Sequence, residues 1–332
     1  MSMDLPRRRA LALAAVSLLF AGSNRAFAQA AGGPPRVVLL LSGSRRTEPE
    51  TIEIFQPAML QLGYVDKKSM ILDVRELENR FDRLPALLQD ILRTNPSVIV
   101  AAGSQSIRAA HAATRTVPIV AISVGYPVEQ GLAKSLSAPG GNVTGNALIQ
   151  EVSDEKTVDI VKQLVPQAAR IAVLINPSNP IGERSRKRYE AATAKLGLAC
   201  VFLDASTHEE LPKTLGKLAE VRADALIVAN DAMLNNERKT ILDAVARHRI
   251  PAIYSHPLYV AEGGLLAYTY DRKRLVQNAA SFVDRILKGR QPADLPFEQP
   301  THFVLAINLK TAKAIGIAIP QALLLRADRV IE

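Results

Sequence analysis

The stretch RVVLLLSGS, Arg36–Ser44, decides the fold class of this chain. Five consecutive apolar residues, Val37–Leu41, leave no polar position on either side of a strand. This pattern predicts a strand that is buried on both faces, as in a parallel sheet covered by helices. The small polar residues Ser42–Ser44 follow where that strand would end. The stretch is therefore typical of a strand and loop in an α/β protein.

The same pattern recurs along the chain between amphipathic stretches of helical periodicity. Gly63 and Gly197 follow helical stretches where a helix commonly ends, and Pro118 and Pro251 open strands. The further apolar runs are SVIVAA, PIVAIS, RIAVLI, DALIVA and PAIY. Their alternation with helical stretches predicts an α/β protein throughout.

The two halves of the chain resemble each other. RIAVLINPS begins 134 residues after RVVLLLSGS, and other landmarks repeat at nearly the same spacing. The paired landmarks are Arg36 and Arg170, Gly63 and Gly197, Ile99 and Ile227, and Pro118 and Pro251. A constant spacing in constant order indicates an internal repeat. We therefore predict two similar, doubly wound parallel-sheet lobes joined by a multi-strand hinge.

The segment PVEQGLAKSLSAPGGNVTGNALI, residues 127–149, lies between the halves. Pro139 ends a helical pattern, and Gly140 and Gly141 permit backbone angles that other residues avoid. Thr144 and Gly145 then fall in a short extended piece that we expect to cross between the lobes. The predicted hinge residues are Gly140, Gly141, Thr144 and Gly145. An ordinary tight loop within one sheet is the alternative.

The first residues have the features of an export signal. A run of arginines precedes the apolar segment Ala10–Ala21, and Ala26–Ala28 forms an A-x-A cleavage site. We therefore expect residues 1–28 to be a signal peptide cleaved after Ala28, which places the mature chain in the periplasm, not embedded in the membrane. The arginine run leaves Sec and twin-arginine export both open. Cys200 is the only cysteine, so no intrachain disulfide can form.

Charge and motifs argue against nucleic-acid binding and catalysis. The net charge of +9 falls to about +6 without residues 1–28, and the remaining basic residues are dispersed. No nucleotide-binding loop or nucleophile elbow occurs. The five histidines lack metal-ligand spacing. We therefore expect no catalytic residue, no metal and no cofactor. A periplasmic α/β enzyme stays the less favoured alternative.

Several motifs together resemble one protein family over the whole mature chain. They are LGYVDKKSMILDVRE, VIVAAGSQSIRAAHAAT, VPIVAISVGYPVEQGLAKSLSAPGGNVTG, ARHRIPAIY, GGLLAYTYD, RILKGRQPADLPFEQPTHFVLAINLKTAKAIG and IPQALLLRADRVIE. In these motifs the chain resembles the ABC transporter substrate-binding proteins related to tryptophan-binding TrpX-type proteins. One position departs from the family: Tyr126 stands in SVGYP where an acidic residue is common.

The resemblance implies a type I periplasmic-binding-protein fold and a receptor that delivers a small solute to an ABC permease with its cytoplasmic ATPase. It also implies three crossings between lobes, the second near Glu262–Leu266 and the third near Glu298–Phe303. Lobe one would then hold residues 36–145 and about 266–298, and lobe two residues 146–265 and about 299–332. We expect a monomer.

Ligands of open parallel sheets bind at the carboxyl ends of the strands. The loops expected there are short and rich in hydroxyl and amide groups, which suits a carboxylate at the start of a helix. The candidate ligand-binding residues are Ser42, Ser44, Gly103, Ser104, Gln105, Ser123, Gly125, Tyr126, Asn176, Ser178, Asn230, Asp231, Tyr254 and Ser255. Helix capping is the alternative role for each serine and asparagine.

Asp231 is the charged member that we expect to accept a ligand ammonium, unless it caps the next helix. Tyr126, Tyr254, Tyr268 and Tyr270 suit an aromatic wall, although Tyr268 and Tyr270 would equally suit core or hinge packing. The expected ligand is an amino acid or a small aromatic or organic acid. A sensor that docks on a signalling partner and the effector domain of a transcription regulator remain alternatives, the latter disfavoured by the N-terminal signal.

Overall fold

The computed structural model describes residues 33–148 and 151–332, and the predicted signal peptide of residues 1–28 lies outside them. The strands are β1 Arg36–Leu41, β2 Ile71–Glu76, β3 Val98–Ala102, β4 Ile119–Gly125, β5 Val143–Leu148, β6 Arg170–Ile175, β7 Ala199–Asp204, β8 Ala225–Val228, β9 Ala252–Tyr254, β10 Leu266–Tyr270, β11 Phe303–Asn308 and β12 Arg329–Ile331. The α-helices are α1 Pro49–Gln61, α2 Leu84–Arg93, α3 Ser104–Ala113, α4 Glu151–Leu164, α5 Gly182–Lys195, α6 Leu211–Gly216, α7 Leu218–Val221, α8 Ala232–Asn236, α9 Arg238–His248, α10 Pro257–Ala261, α11 Arg272–Leu287, α12 Leu309–Ile315 and α13 Gln321–Leu324. Short 3₁₀ turns lie at Phe81–Arg83 and Pro292–Asp294.

The strands form two sheets whose orders repeat each other. The five-stranded sheet has the order β2-β1-β3-β4-β5 and is parallel throughout. The seven-stranded sheet contains the equivalent order β7-β6-β8-β9-β10, after which β11 joins antiparallel and β12 pairs with β11 in parallel. The predicted α/β fold with two similar sheets is confirmed. We call the five-stranded sheet with its helices lobe one, and the seven-stranded sheet with its helices lobe two.

Both faces of the first sheet are covered, as the uninterrupted apolar runs indicate. In β1, Val37 and Leu39 pack with α1 and α11 on one face. Val38 and Leu40 pack with α2 and α3 on the other face. All four side chains are fully buried or nearly so. Because successive strand residues point to opposite faces, no position from Val37 to Leu41 is left for a polar residue.

The second sheet repeats this arrangement. Ile171 and Val173 of β6 pack with α4 and α5, whereas Ala172 and Leu174 pack with α6 and the helices α8–α10. Each lobe therefore has two hydrophobic layers around its own sheet. These layers fix the carboxyl ends of both sets of strands, which is where a parallel α/β sheet binds its ligands.

The hinge predicted at Gly140, Gly141, Thr144 and Gly145 does not lie where the chain leaves lobe one. Thr144 and Gly145 lie inside β5, which is the edge strand of the first sheet and pairs with β4. The chain leaves lobe one only after Leu148. Gly145 has a φ of +128°, and a Cβ on it would lie 2.3 Å from the carbonyl oxygen of Ala121. Because glycine has no side chain, β5 can pack closely on β4 at this position, where a larger residue would clash.

The boundary of the second crossing also differs from the expectation. Leu266–Tyr270 was expected in lobe one, but it forms β10 of the seven-stranded sheet. The chain crosses after Tyr270 and enters α11, whose Val276 and Phe282 pack in the core of lobe one. Tyrosine and threonine in this stretch suit a strand of either sheet, so sequence pattern alone did not fix its partner.

The third crossing runs along the edge of lobe one before it reaches lobe two. The amide of Glu298 donates to the carbonyl oxygen of Gly145 at 2.9 Å, and the amide of Ala147 donates to the carbonyl oxygen of Glu298 at 2.9 Å. The chain then enters β11 at Phe303. Asn146, which is buried, donates from its side chain to the carbonyl oxygen of Leu275 at 3.0 Å. The crossing segments are therefore anchored on one edge strand, β5.

Candidate functional site

A cleft lies between the strand ends of the two lobes. Its empty volume is about 940 Å³, including open solvent at its mouth. Lobe one contributes the loops after β1 and β3, Ser123 and Gly125 at the end of β4, and the first turn of α1. Lobe two contributes the loops after β8 and β9 and the end of β10. The cleft is thus made by loops of both sheets.

Part of the predicted ligand-binding set lines this cleft. These residues are Ser42, Gly103, Ser104, Ser123, Gly125, Asn230, Asp231 and Ser255. The others do not line it, namely Ser44, Gln105, Tyr126, Asn176, Ser178 and Tyr254. That any of these residues binds a ligand stays a prediction, because lining a cavity is a matter of position alone.

Several of the predicted residues organise the loops instead. The Ser44 amide donates to the Thr47 hydroxyl at 2.9 Å within a turn. The Ser178 amide donates to the Asn176 side-chain oxygen at 2.9 Å. Tyr254 is buried and stacks on Tyr259 with ring centroids 4.3 Å apart. These contacts match the capping and packing roles that compete with ligand binding.

The Asp231 carboxylate is occupied by protein donors. It caps α8 by accepting the Leu234 amide at 3.1 Å. It also accepts the side-chain amides of Asn176 at 3.2 Å and Asn179 at 2.8 Å. Burial raises the pKa of Asp231, although these hydrogen bonds act in the opposite direction. Asp231 therefore holds the loops after β6 and β8 together, and it has little capacity left for a ligand ammonium.

Hydrogen bonds join the lobes along one rim of the cleft. The side-chain amide of Asn236 in lobe two donates to Oε1 of Glu48 at 3.2 Å and to Oδ1 of Asn79 at 2.9 Å, both in lobe one. Oε1 of Glu48 also accepts the Gly43 amide at 2.6 Å. Nη1 of Arg238 in lobe two donates to the carbonyl oxygen of Thr47 at 2.9 Å. The lobes are therefore in contact around the cleft.

A second set of contacts joins the lobes on the side of α3 and α5. The Gln105 side chain in lobe one donates to the carbonyl oxygen of Ser178 in lobe two at 3.3 Å. The Arg184 guanidinium lies 3.9 Å above the centre of the Tyr126 ring, and that of Arg188 lies 5.2 Å from it. Such distances permit cation–π attraction. Tyr126 thus contacts lobe two through its ring face, where an acidic residue would instead form an ion pair.

His256 is a cleft-lining residue with a fixed protonation state. Its Nδ1 accepts the Leu258 amide at 3.2 Å at the start of α10. Burial, together with Arg272 and Arg238, lowers the pKa of His256 well below its ordinary value. The ring is therefore neutral, and since Nδ1 accepts a hydrogen bond, the proton lies on Nε2.

Some polar groups of the cleft are not used by the protein. The Ser104 hydroxyl accepts the Gly125 amide and the Gln130 side chain, each at 3.2 Å, so its own proton can donate elsewhere. Among residues 33–148 and 151–332, no hydrogen bond or ion pair engages the Ser123 hydroxyl or the Glu50 carboxylate. These groups are available to a ligand.

A smaller recess adjoins the cleft in lobe two. Its empty volume is about 340 Å³, and it shares Asn230, Ser255, Thr269 and Tyr270 with the cleft. Tyr268 and Tyr270 line the recess, and both rings also pack on Phe303. The contacts with Phe303 show a packing role for both tyrosines, and their role as an aromatic wall for a ligand stays a prediction.

Sequence reasoning missed the cleft residues at the starts of α1, α9 and α11. These are Glu48, Glu50, Thr51, Arg238 and Arg272. The loops after the strands were considered, but not the first turns of the helices that follow them. Arg272 was missed because β10 was assigned to the wrong sheet. The first helical turns that follow strands, with their N-cap residues, contain all of these residues except Arg238, because α9 follows α8 and not a strand.

Comparison with known proteins gives a family for this chain. The model of a family described as ABC transporter substrate binding protein matches residues 41–331. The chain belongs to the ABC transporter substrate-binding protein family. A curated relative, the tyrosine-binding protein of Clostridioides difficile (strain R20291), is 28% identical to this substrate-binding protein over 263 residues, which are 79% of this chain and 75% of the relative.

Solved structures show the same fold as this substrate-binding protein. The ABC domain in complex with L-Trp from Streptococcus pneumoniae has a TM-score of 0.83 at 23% identity, covering 90% of this chain and all of that one. The ligand-free, open structure of a substrate-binding protein with adhesive properties from Clostridium difficile has a TM-score of 0.63 at 22% identity, covering 90% of this chain and 99% of that one. At these identities the likeness establishes the type I periplasmic-binding fold alone.

None of the helices in residues 33–148 and 151–332 combines the length and the apolar character needed to cross a bilayer. The same residues contain no cluster of three or more histidine, cysteine, aspartate or glutamate side chains placed to hold a metal ion.

Proposed function

We propose that this substrate-binding protein is the extracytoplasmic receptor of an ABC importer. Its proposed ligand is an α-amino acid or, more broadly, an aromatic or other organic acid. The single observation that carries the proposal is the cleft between the two lobes, which is lined by strand-end loops from both sheets. A ligand there would contact both lobes at once, so its binding would favour the closed arrangement.

The chemistry of lobe one suits the head group of an amino acid. Helix α3 begins at Ser104, and its cap residue Gly103 has no side chain to accept the first amides of the helix. Free amides at a helix start bind carboxylates. The hydroxyls of Ser104 and Ser123 lie beside them in the same cleft. This corner therefore offers hydrogen-bond donors to a ligand carboxylate.

The chemistry of lobe two suits the side chain of the ligand. The recess beside the cleft has aromatic walls from Tyr268 and Tyr270. Aromatic walls favour flat or apolar side chains. The tyrosine-binding relative and the fold shared with an L-Trp complex agree with this choice of ligand class.

The remaining parts of the proposal follow from the family and from the N-terminal sequence. We propose export with cleavage after Ala28, a periplasmic location, a monomeric mature chain and delivery of the ligand to a permease with its ATPase. A binding role without catalysis agrees with the family. Cleavage is testable by intact mass of the secreted protein.

A ligand screen tests the proposed function. The protein is first unfolded and refolded to remove any copurified molecule, and the released molecules are identified by mass spectrometry. Thermal shift is then measured with the twenty common amino acids, aromatic acids, sugars and metal ions. A rise in unfolding temperature with at least one amino or aromatic acid supports the proposal. A response to sugars or metal ions alone contradicts it.

A further inference from the structure

We propose that Glu50 accepts the ammonium group of the ligand and makes the cleft select α-amino acids over acids that lack the amine. The proposal rests on the proposed function, because it assigns one group of an amino acid to one residue of the cleft. Asp231, the residue that sequence alone suggests for this role, is committed to other contacts.

Among the described residues that line the cleft, three carry carboxylates, and two of these carboxylates are already bound. Glu48 accepts the Gly43 amide and the Asn236 side chain. Asp231 accepts one backbone amide and two asparagine side chains. In the part of the chain that the structure describes, Glu50 has no hydrogen bond and no ion pair. It is therefore the carboxylate of the cleft that can receive a cationic group.

The position of Glu50 is fixed by its neighbours. Glu50 lies in the first turn of α1. On one side, Glu48 is tied to lobe two through Asn236. On the other side, the Thr51 hydroxyl accepts Nη2 of Arg272 at 2.7 Å. The backbone that carries Glu50 is thus held from both directions when the lobes are closed, which reduces the entropy lost when a ligand binds it.

The charges around Glu50 leave its carboxylate free. Arg272 is engaged by the Thr51 hydroxyl and lies 3.6 Å from Oε2 of Glu48. Arg238 is engaged by Glu262 at 2.6 Å. A half-buried carboxylate loses its hydrogen bonds to water when a ligand displaces that water. Leaving it without a new partner costs free energy. A ligand with an ammonium removes this penalty, and a ligand without one does not.

An acidic residue in a first helical turn also interacts favourably with the helix dipole. This role affects the stability of α1 in the same way whatever ligand is bound. It therefore cannot produce a preference between two ligands that differ only in the amine, and such a preference separates the two roles of Glu50.

The test compares matched ligands on matched variants by isothermal titration calorimetry. The ligand pairs are L-tryptophan with 3-indolepropionate, and L-tyrosine with 3-(4-hydroxyphenyl)propionate. The variants are Glu50→Gln and, as a control on the exposed side of the same helix, Glu53→Gln. Circular dichroism and thermal unfolding check that both variants fold.

We expect the original protein to prefer the amino acid of a pair by roughly tenfold or more, as for an amine paired with a charge. Glu50→Gln should weaken amino acid binding by a similar factor. It should leave binding of the acid without the amine equal or stronger, because the unpaired carboxylate is gone, and so abolish the preference. Glu53→Gln should change neither the affinity for the amino acid nor the affinity for the acid without the amine. Unchanged amino acid affinity in a folded Glu50→Gln variant overturns this inference and leaves the proposed function standing. Binding of aromatic acids but of no amino acid by the original protein also overturns this inference alone, and failure to bind any amino or aromatic acid overturns both.

Discussion

The side-chain amide of Asn236 in lobe two donates to the carboxylate of Glu48 in lobe one across 3.2 Å. The same amide reaches Oδ1 of Asn79 at 2.9 Å. Glu48 in turn binds the backbone of Gly43, in the loop that ends β1. One asparagine therefore links the end of the first strand of lobe one to helix α8 of lobe two.

Asn236→Ala should open the cleft. The substitution removes two hydrogen bonds between the lobes, each worth about 1 kcal/mol, so ligand affinity should fall by at least tenfold. Small-angle X-ray scattering of the ligand-free protein should show a larger radius of gyration. Asn235→Ala is the control, because Asn235 bonds only within lobe two, to Asn230 and Ser255. Equal radii for Asn236→Ala and the original protein would contradict the closing role of Asn236.

Gly145→Ala should destabilise lobe one and not merely stiffen a hinge. The added Cβ would meet the Ala121 carbonyl oxygen at 2.3 Å, in a backbone conformation with φ of +128°. We expect the free energy of unfolding in urea to fall by about 3 kcal/mol. Gly141→Ala is the matched control, because the nearest atom to its Cβ is 3.9 Å away, and it should change stability by less than about 1 kcal/mol. A stable Gly145→Ala variant would refute the tight packing of β5 on β4.

Asp231→Ala should mainly lower the stability of the protein, and it should affect ligand selectivity less. It removes the cap of α8 and leaves the amides of Asn176 and Asn179 without their acceptor. We expect a loss of about 2 kcal/mol in urea unfolding. The neighbouring Asn230→Ala variant removes one hydrogen bond of 3.4 Å to Asn235. Its free energy of unfolding should therefore fall by less than that of Asp231→Ala. Unchanged stability together with lost selectivity for the ligand amine would return the ammonium-binding role to Asp231.

His256 should make stability depend on pH. Its pKa in the folded protein lies well below the ordinary value, so the unfolded chain binds the proton first as the pH falls. The stability contributed by the neutral ring is therefore complete above about pH 6.5 and is lost below it, by about 1 kcal/mol between pH 7.5 and 5.5. His256→Asn, which keeps an acceptor for the Leu258 amide, should reduce this slope when urea unfolding is compared at the two pH values. Equal slopes would contradict a buried neutral ring.

Much of the fold was predictable because it depends on local pattern. Five unbroken apolar residues in β1 required cover on both faces, and α1 and α11 on one side with α2 and α3 on the other provide it. The repeat of landmarks such as Gly63 and Gly197 predicted two equivalent sheets, and the strand orders repeat.

The crossings were less predictable because they depend on pairing between distant strands. The β-branched residues of β5 suit both a linker and an edge strand, and only pairing with β4 decides between them. The expectation that Leu266–Tyr270 belongs to lobe one failed for the same reason, since β10 pairs with β9.

The site was predictable as a region but not residue by residue. Strand-end loops such as those at Ser104 and Ser123 do line the cleft. Sequence could not show that the Asp231 carboxylate would be used up by Asn176 and Asn179, because these three residues meet only through folding. For the same reason it gave no sign that Glu50 would be left unpaired.

The central claim is that the cleft between the lobes binds an α-amino acid. Calorimetric titration of the refolded, ligand-free protein with L-tryptophan, L-tyrosine and the other common amino acids tests it most directly. We predict saturable binding of at least one amino acid at one site per chain, weakened by at least tenfold in Asn236→Ala. If no amino acid binds while a sugar or another neutral solute saturates the site, the claim is contradicted.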